Sequence, residues 1–412
     1  MKVTEQTRCR ICRSLPIQPV IDLGVQPLAN NFLPSVRTDL TENYIPLRVC
    51  FCSRCGLCQL SHVVDPRSLF SDYVYFSAAM PTARAHFGAY AEEVADAHLS
   101  SGDYVCEIGS NDGVLLKEFM RRGFRVLGVD PAQNIAAQAN RDGIPTLPEF
   151  FSFSLARRIR AAHGNAKVVV GNNVVAHIDD VHDLVKGVRE LLSARGVFIF
   201  EAPHLVDMFE RGAFDSIYHE HLSYLALRPL QRLLSEYDME IFQVRRVPVQ
   251  GVSLRLYAAR SGVYPVQKSV GECATLEEQF GLYRKDTYDN LSEVIRAKKN
   301  VLVEYIRDLK EQGKRVAVYG APARGTVLLN FLSLPQGTFE YATEELSSKI
   351  GLCIPGTRIP VVHIEEARKN PPDCFLVLAW NYRDAILEKE QVLLQRGVTF
   401  LFPIGEPMVV QI

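Results

Sequence analysis

The chain has 412 residues, 47 % of them hydrophobic and 23 % charged. This is ordinary globular usage, and at about 100–200 residues per domain it suggests two to four domains. Its 46 Lys and Arg balance 47 Asp and Glu, so a generic grip on nucleic acid or an anionic membrane, which needs clustered surplus cations, is not supported. No apolar run reaches the roughly 18–20 residues of a membrane span, and the N-terminus lacks the apolar core of a signal peptide. A soluble cytoplasmic protein is expected.

Six of the ten cysteines fall within the first 58 residues. In a cytosolic chain such a local cluster reads as metal binding, not as a disulfide scaffold. Cys9-Arg-Ile-Cys12 and Cys52-Ser-Arg-Cys55 are two C-x2-C knuckles. Each places two thiolates on one tight turn, and two such turns meeting form the tetrahedral four-sulfur site that zinc prefers. Cys9, Cys12, Cys52 and Cys55 are the expected ligands of a structural zinc ion, because four sulfurs leave no open position for chemistry. Cys58 repeats the spacing after Cys55 and Cys50 is nearby, so either remains an alternative ligand.

After this proline-punctuated segment, 85–98 reads as a helix. Short β-branched runs at 104–108, 125–129, 167–170 and 197–201 then alternate with helical stretches at 114–122, 133–141, 155–162 and 181–194. That alternation implies a parallel sheet of βαβ units. Beyond a helix at 230–237, the strands 241–245 and 253–258 leave no room for a helix between them and must pair antiparallel. A parallel sheet ending in an antiparallel pair fits a class I methyltransferase sheet better than a plain dinucleotide fold. A long helical region, 275–312, follows. Strands at 315–319, 359–362, 375–379 and 398–402 then mark a second α/β unit.

The run Tyr104-Val-Cys-Glu107-Ile-Gly109-Ser-Asn111-Asp-Gly113 is a strand entering a glycine-bearing turn and a helix. Gly109 and Gly113 let a ligand approach the backbone closely. A dinucleotide fingerprint fails here, because Asn111 and Val114 stand where glycines are required. Glu-x-Gly-x-x-x-Gly is instead the first motif of S-adenosylmethionine enzymes, whose sulfonium and amino groups favour nearby acids. Asp130, at the end of the next strand, is suited to the ribose hydroxyls. Asn172, Asn173 and His177 follow the third strand and are delivered to the same crevice; for His177 a satisfied structural role is equally open.

The densest acid/base group is Tyr218-His219-Glu220-His221, which follows the fourth strand. His-x-His in an extended segment admits a metal pair or an idle polar loop. The better reading is a general base, since imidazole titrates near working pH, oriented by a phenol and a carboxylate.

These blocks, together with Tyr319-Gly-Ala-Pro-Ala-Arg324-Gly, Pro355-Gly-Thr and Ala379-Trp-Asn381, resemble in order and over essentially the whole length the S-adenosylmethionine-dependent sugar C-methyltransferases of deoxysugar biosynthesis. The resemblance implies a small zinc-binding domain (1–75), a central class I methyltransferase, Rossmann-like domain (76–268) and a second Rossmann-like α/β domain (269–412) that binds the sugar nucleotide. It implies C-methylation of a nucleotide-linked keto-deoxysugar, typically a dTDP-sugar, through an enolate. It places the base on His221, with Tyr218, Glu220, Tyr75 and His177 around it. It assigns the cofactor to Glu107, Gly109, Asn111, Gly113, Asp130, Asn172 and Asn173. The sugar nucleotide falls to Tyr319, Arg324, Lys349, Asn381 and Arg383. The chain departs from the family at Arg324, where lysine is usual, at Gln250-Gly-Val-Ser253, and at Glu344 in place of Asp. A zinc-ribbon RNA methyltransferase predicts a basic face that the charge balance opposes. A non-catalytic scaffold predicts a depleted acid/base segment, and this one is intact. An NAD-dependent sugar oxidoreductase is disfavoured by Asn111 and Val114.

Overall fold

The computed structural model describes residues 1–34, 41–71, 81–247, 253–405 and 408–411; the side chains of 81–83 also lie outside the description. Tyr75 and residues 250–252 therefore fall outside the described residues. The central sheet has seven strands, in the order Met239–Val247, Ser253–Arg260, Leu192–Pro203, Ala166–Val170, Tyr104–Ile108, Arg125–Val129, Thr146–Leu147. Ser253–Arg260 runs antiparallel to both its neighbours, and the remaining pairs are parallel. This is the sheet expected from the alternation. Tyr104–Ile108 is buried at every position, as a strand covered on both faces by helices must be. Separate apolar clusters fill the two faces, one around Cys106, Val169 and Phe198, the other around Val105, Val168 and Phe119. Each fully buried Val or Leu contributes about 1.5–3 kcal/mol.

The chain enters this sheet at a topological switch point. Tyr104–Ile108 is followed on one side by Arg125–Val129, and the chain then returns to Ala166–Val170 on the other. Such a point opens a crevice at the carboxyl ends of the strands. The C-terminal sheet repeats the device, with the order Val361–His363, Ala342–Glu344, Val316–Tyr319, Cys374–Val377, Thr399–Leu401, Val409–Val410. Its switch point lies between Val316–Tyr319 and Cys374–Val377, whose following loops carry 320–324 and 378–383.

Residues 1–75 hold more sheet than their composition suggests. Gln18–Gln26, Ile45–Phe51 and Cys58–Leu60 form an antiparallel sheet, and its fourth strand, Ser223–Tyr224, comes from the central part of the chain. Leu352–Cys353 pairs with Leu33–Pro34 from the opposite direction. One apolar cluster runs through Leu47, Val49 and Leu60 into Phe214, Tyr288 and the C-terminal sheet.

The single long helical region expected at 275–312 is two helices, Lys268–Phe280 and Lys285–Glu311. Gly281 breaks them with φ +81°, and a side chain there would meet Thr287 Oγ1 and Arg284 Nη2 at 2.8 Å. A glycine inside a helix costs about 1 kcal/mol relative to alanine; here Gly281 acts as a left-handed cap instead. Among the described residues no helix is long and apolar enough to cross a membrane.

Candidate active site

The four sulfurs of Cys9, Cys12, Cys52 and Cys55 lie within 4.8 Å of one another. Cys9 and Cys55 are 3.5 Å apart, as are Cys12 and Cys52. A zinc–sulfur distance of about 2.3 Å implies sulfur–sulfur edges of about 3.8 Å in a tetrahedron, so the donor set fits zinc. Ser14 Oγ lies 3.0 Å from Cys12 Sγ and 3.2 Å from Cys52 Sγ, placed to donate to either thiolate. Cys50 and Cys58 stand outside this group. Geometry separates them: of the six, only the sulfurs of Cys9, Cys12, Cys52 and Cys55 converge within 4.8 Å.

A second group, His204, Cys273 and Glu277, also has metal-ligand spacing. Both ring nitrogens of His204 already face carboxylates, Nδ1 at 2.7 Å from Asp207 and Nε2 at 3.1 Å from Glu277. Glu277 further accepts from the Leu227 N–H and the Tyr283 hydroxyl. Burial presses the His204 pKa down, but its hydrogen bonds to the carboxylates of Asp207 and Glu277 outweigh it and leave the pKa raised. The group therefore holds a proton, with both N–H bonds donating. Because the folded pKa exceeds the unfolded value, its stabilisation is complete below about pH 6.5 and is lost as pH rises through the folded pKa. His204→Gln lowers Tm most in acid, and the gap to the parent narrows with rising pH in scanning calorimetry; a pH-independent gap contradicts the buried imidazolium.

The first switch-point crevice is lined by buried polar atoms that lack a partner among the described residues: Glu107 Oε2, Ser110 Oγ, Asn172 Nδ2, Asn173 Oδ1 and His177 Nδ1. Buried polar groups are nearly always satisfied, so this set marks a site for a polar ligand. Burial, then Asp130 and Asp112, hold the Glu107 carboxyl well above its ordinary pKa, and a cation placed there restores its charge. Asp130 accepts the backbone N–H of Asn111 at 2.8 Å and of Ala132 at 2.9 Å, which fixes the loop. Asn172 Oδ1 faces the Glu201 N–H at 3.2 Å and the Tyr90 hydroxyl at 3.3 Å, so its Nδ2 is the end turned to the crevice. Gly109 has φ +66°, and a Cβ there would stand 2.9 Å from Val174 Cγ2. Gly109→Ala adds about 1–2 kcal/mol of left-handed strain, relieved by the loop leaving the crevice. Titration calorimetry is expected to show S-adenosylmethionine affinity lowered roughly 5–30-fold; an unaltered affinity rejects this position of the ligand.

The acid/base segment begins at the short helix Phe214–Ser216 and turns at Tyr218–His221, where the His221 N–H bonds the Tyr218 carbonyl at 2.9 Å. His221 Nδ1 lies 2.8 Å from the Ser216 carbonyl. A carbonyl only accepts, so Nδ1 carries the proton and Nε2 keeps its lone pair. The ring is half-buried and packs 4.1 Å from the Tyr218 ring and 4.9 Å, edge on, from the His177 ring. Burial, and secondarily the Arg324 charge, push His221 down to about 4; burial and His221 push His177 down to about 3. Both rings are neutral at neutral pH. Burial, then Glu220, drive the Tyr218 phenol far up, so it stays a donor. Glu220 Oε1 accepts from Asn30 Nδ2 at 2.7 Å. His219 points away and bonds the Ile45 carbonyl at 3.2 Å, which leaves no His-x-His metal pair.

The second switch point reaches the same segment. Trp380 donates from Nε1 to Asp215 Oδ2 at 2.7 Å, and the Arg324 guanidinium lies 5.5 Å from the Trp380 ring. Arg324 also acts electrostatically on Asp215, Tyr218 and His221. Lys349 Nζ bonds the Ala321 carbonyl at 2.7 Å, beside Glu344 at 3.9 Å. Arg383 packs on Phe402 with a buried Nη1 that has no partner among the described residues. Asn381 is exposed. Tyr319 is turned inward: it is buried, and its hydroxyl bonds Glu390 at 2.8 Å. Motif reading passed over Asn30 and Asp215, whose partners lie 190 and 165 residues away. The lone tryptophan, at the end of a parallel strand, was the one signal on offer.

Three family models match in succession: a zinc binding domain over residues 9–70, a methyltransferase domain over 83–244, and a C-methyltransferase C-terminal domain over 248–405. The chain is 35% identical over 404 residues to the C-methyltransferase NovU of Streptomyces niveus, covering 98% of this chain and 96% of that protein. Among solved structures, the plantazolicin methyltransferase BpumL is 13% identical with a TM-score of 0.36, over 45% of this chain and 87% of that one. The magnesium protoporphyrin IX methyltransferase of Synechocystis PCC 6803 is 16% identical with a TM-score of 0.35, over 43% and 83%. Likenesses this distant carry no argument; the near full-length relative and the three consecutive domains do. With four clustered cysteines that fit zinc and a crevice of buried polar atoms at the switch point, the chain belongs to the S-adenosylmethionine-dependent C-methyltransferase family with an N-terminal zinc-binding domain.

Proposed function

We propose that the protein methylates a ring carbon next to the ketone of a nucleotide-linked keto-deoxysugar, with dTDP as the carrier, and that His221 removes the proton. The observation that carries this is a neutral imidazole whose proton is fixed on Nδ1 by Ser216 and whose Nε2 has no hydrogen-bond partner among the described residues. It stands beside a crevice of unpartnered polar atoms. The cofactor supplies an electrophilic methyl group bonded to a sulfonium sulfur. His221 Nε2 takes the α-proton, and the C–H electron pair moves into a C=C bond while the carbonyl becomes an enolate oxygen. The carbon of that enolate accepts the methyl group, and the electrons of the broken S–CH3 bond stay on sulfur as a thioether.

A base at about 4 is always deprotonated near neutrality but pulls weakly. The enolate oxygen therefore needs strong fixed donors. Tyr218, whose phenol stays protonated and whose ring packs 4.1 Å from that of His221, is proposed for that, together with Tyr75; His177 is assigned to holding the segment, through its ring's hydrogen bond to the Glu220 backbone. Glu220, anchored by Asn30, orients the segment. Cofactor contacts are assigned to Glu107, Gly109, Asn111, Gly113, Asp130, Asn172 and Asn173. The diphosphate is assigned to the second switch point, where Arg324, Lys349 and Arg383 supply positive charge and Asn381 an exposed amide. Tyr319 serves that loop from behind, through Glu390. Ten unpaired cysteines support a reducing cytoplasmic compartment.

The test is incubation with methyl-labelled S-adenosylmethionine and a panel of dTDP-linked keto-deoxysugars, the free sugars, and RNA. Label on carbon of a dTDP-keto-sugar supports the reading. Label on RNA, or on none of the sugars, overturns it.

A further inference from the structure

The residue between the first two zinc ligands has a role that its neighbours do not share. Arg10 sits in the Cys9–Cys12 knuckle, yet its side chain is only 2% exposed. Its guanidinium is spread over three partners drawn from distant parts of the chain. Nε bonds Asp179 Oδ1 at 2.9 Å, while Nη1 bonds the carbonyls of Leu60 at 3.1 Å and Leu222 at 2.9 Å. The Arg10 N–H is itself fixed by Gln59 Oε1 at 2.8 Å. Asp179 lies two residues beyond His177, and Leu222 directly follows His221. One planar fork thus joins the two backbone segments whose rings stand 4.9 Å apart. The next knuckle residue reinforces the link, since the Ile11 carbonyl accepts from His182 Nε2 at 2.8 Å.

We propose that Arg10 is a positioning residue: held by the zinc knuckle, it sets the spacing of His177 and His221, so that the metal centre fixes the geometry of the catalytic rings without touching substrate. This rests on the reading of those two rings given above. A lysine cannot replace the fork, because a single ammonium on a flexible stem cannot hold Asp179 and two carbonyls in one plane. A displacement of about 1 Å in a reacting group costs on the order of 100-fold in rate.

The test compares Arg10→Ala, Arg10→Lys and Asp179→Ala, each full-length and loaded with zinc, in protein labelled with 15N at the histidine rings. Expected for Arg10→Ala are unchanged zinc content, unchanged S-adenosylmethionine affinity, and shifted ring signals for both His177 and His221. Turnover number falls roughly 10–100-fold with KM nearly constant, and ethylguanidinium restores part of it. Arg10→Lys behaves like Arg10→Ala. Asp179→Ala, outside the knuckle and half-exposed, moves the His177 signal alone. A folded, zinc-loaded Arg10→Ala with parental ring signals overturns the proposal. If Arg10→Ala fails to fold, Asp179→Ala decides: an unmoved His177 signal counts against the proposal. Should the parent methylate no keto-sugar, the proposed function fails, while the ring signals still report on Arg10.

Discussion

His221→Asn cuts methyl transfer by roughly 10²–10⁴-fold while S-adenosylmethionine still binds with parental affinity. Asparagine keeps a donor for the Ser216 carbonyl, so the turn survives, but it offers no basic lone pair where Nε2 stood. General-base catalysis is worth roughly 10²–10⁴-fold, and the turnover number should fall by that factor. The pH profile of the parent gives an independent check. Burial disfavours the imidazolium and sets the ring at about 4, and the base must be neutral to act. The kcat/KM of the parent therefore rises through about pH 4 and is level above it, where an ordinary histidine would still be titrating near 6.5. Turnover retained in His221→Asn removes the base assignment; an acid limb at 6.5 places the ring in water.

Stripping the metal has an effect of comparable size by a different route. Structural zinc supplies on the order of 10–16 kcal/mol in small four-ligand sites, more than the Gln59 and Leu60 hydrogen bonds of Arg10 that also tie the first knuckle to the sheet. Chelation, or Cys52→Ser, should unfold that sheet and release Ser223–Tyr224, which pairs with Cys58–Leu60. Methyl transfer is then lost. Cofactor affinity falls little, because the central crevice is built from Tyr104–Ile108, Ala166–Val170 and their loops. Thiol titration follows the event: four sulfurs react on loss of the metal, and Cys50 and Cys58 react only once the sheet opens. Cys58→Ser should keep one zinc per chain by elemental analysis. A chelated protein that transfers methyl at the parental rate rules out this dependence.

The central sheet was legible because its evidence is local. Short β-branched runs alternate with helices, and the gap between 245 and 253 is too short for a crossover, which forces an antiparallel pair. The clustering of the knuckle cysteines was legible for the same reason, since a knuckle is a matter of two-residue spacing; that Cys50 and Cys58 stand outside the group of four sulfurs is a matter of three-dimensional placement that spacing alone left open. The contacts that assemble the site are non-local and left no periodic trace. Ser223–Tyr224 is two residues long and reads as loop until its partner is known. Arg10 looks like a surface charge on a metal knuckle, yet Asp179 and Leu222 lie 169 and 212 residues away. Tyr319 shows the converse. The family resemblance assigned it to the sugar nucleotide, and the two-residue alternation of the strand turns its side chain toward Phe375, Phe400 and Glu390.

The borrowed strand Ser223–Tyr224 also limits how such chains can be recombined. A cut near residue 75 looks clean in sequence, but it would leave the amino-terminal module with a raw β edge and His221 with an unanchored flank. Hybrids that trade modules between homologues should carry 222–224 along with the cysteine-bearing half, or keep both halves from one parent. Lineages that shuffled only one piece would have inherited an idle enzyme, so the metal-binding and methylating halves are expected to have travelled together.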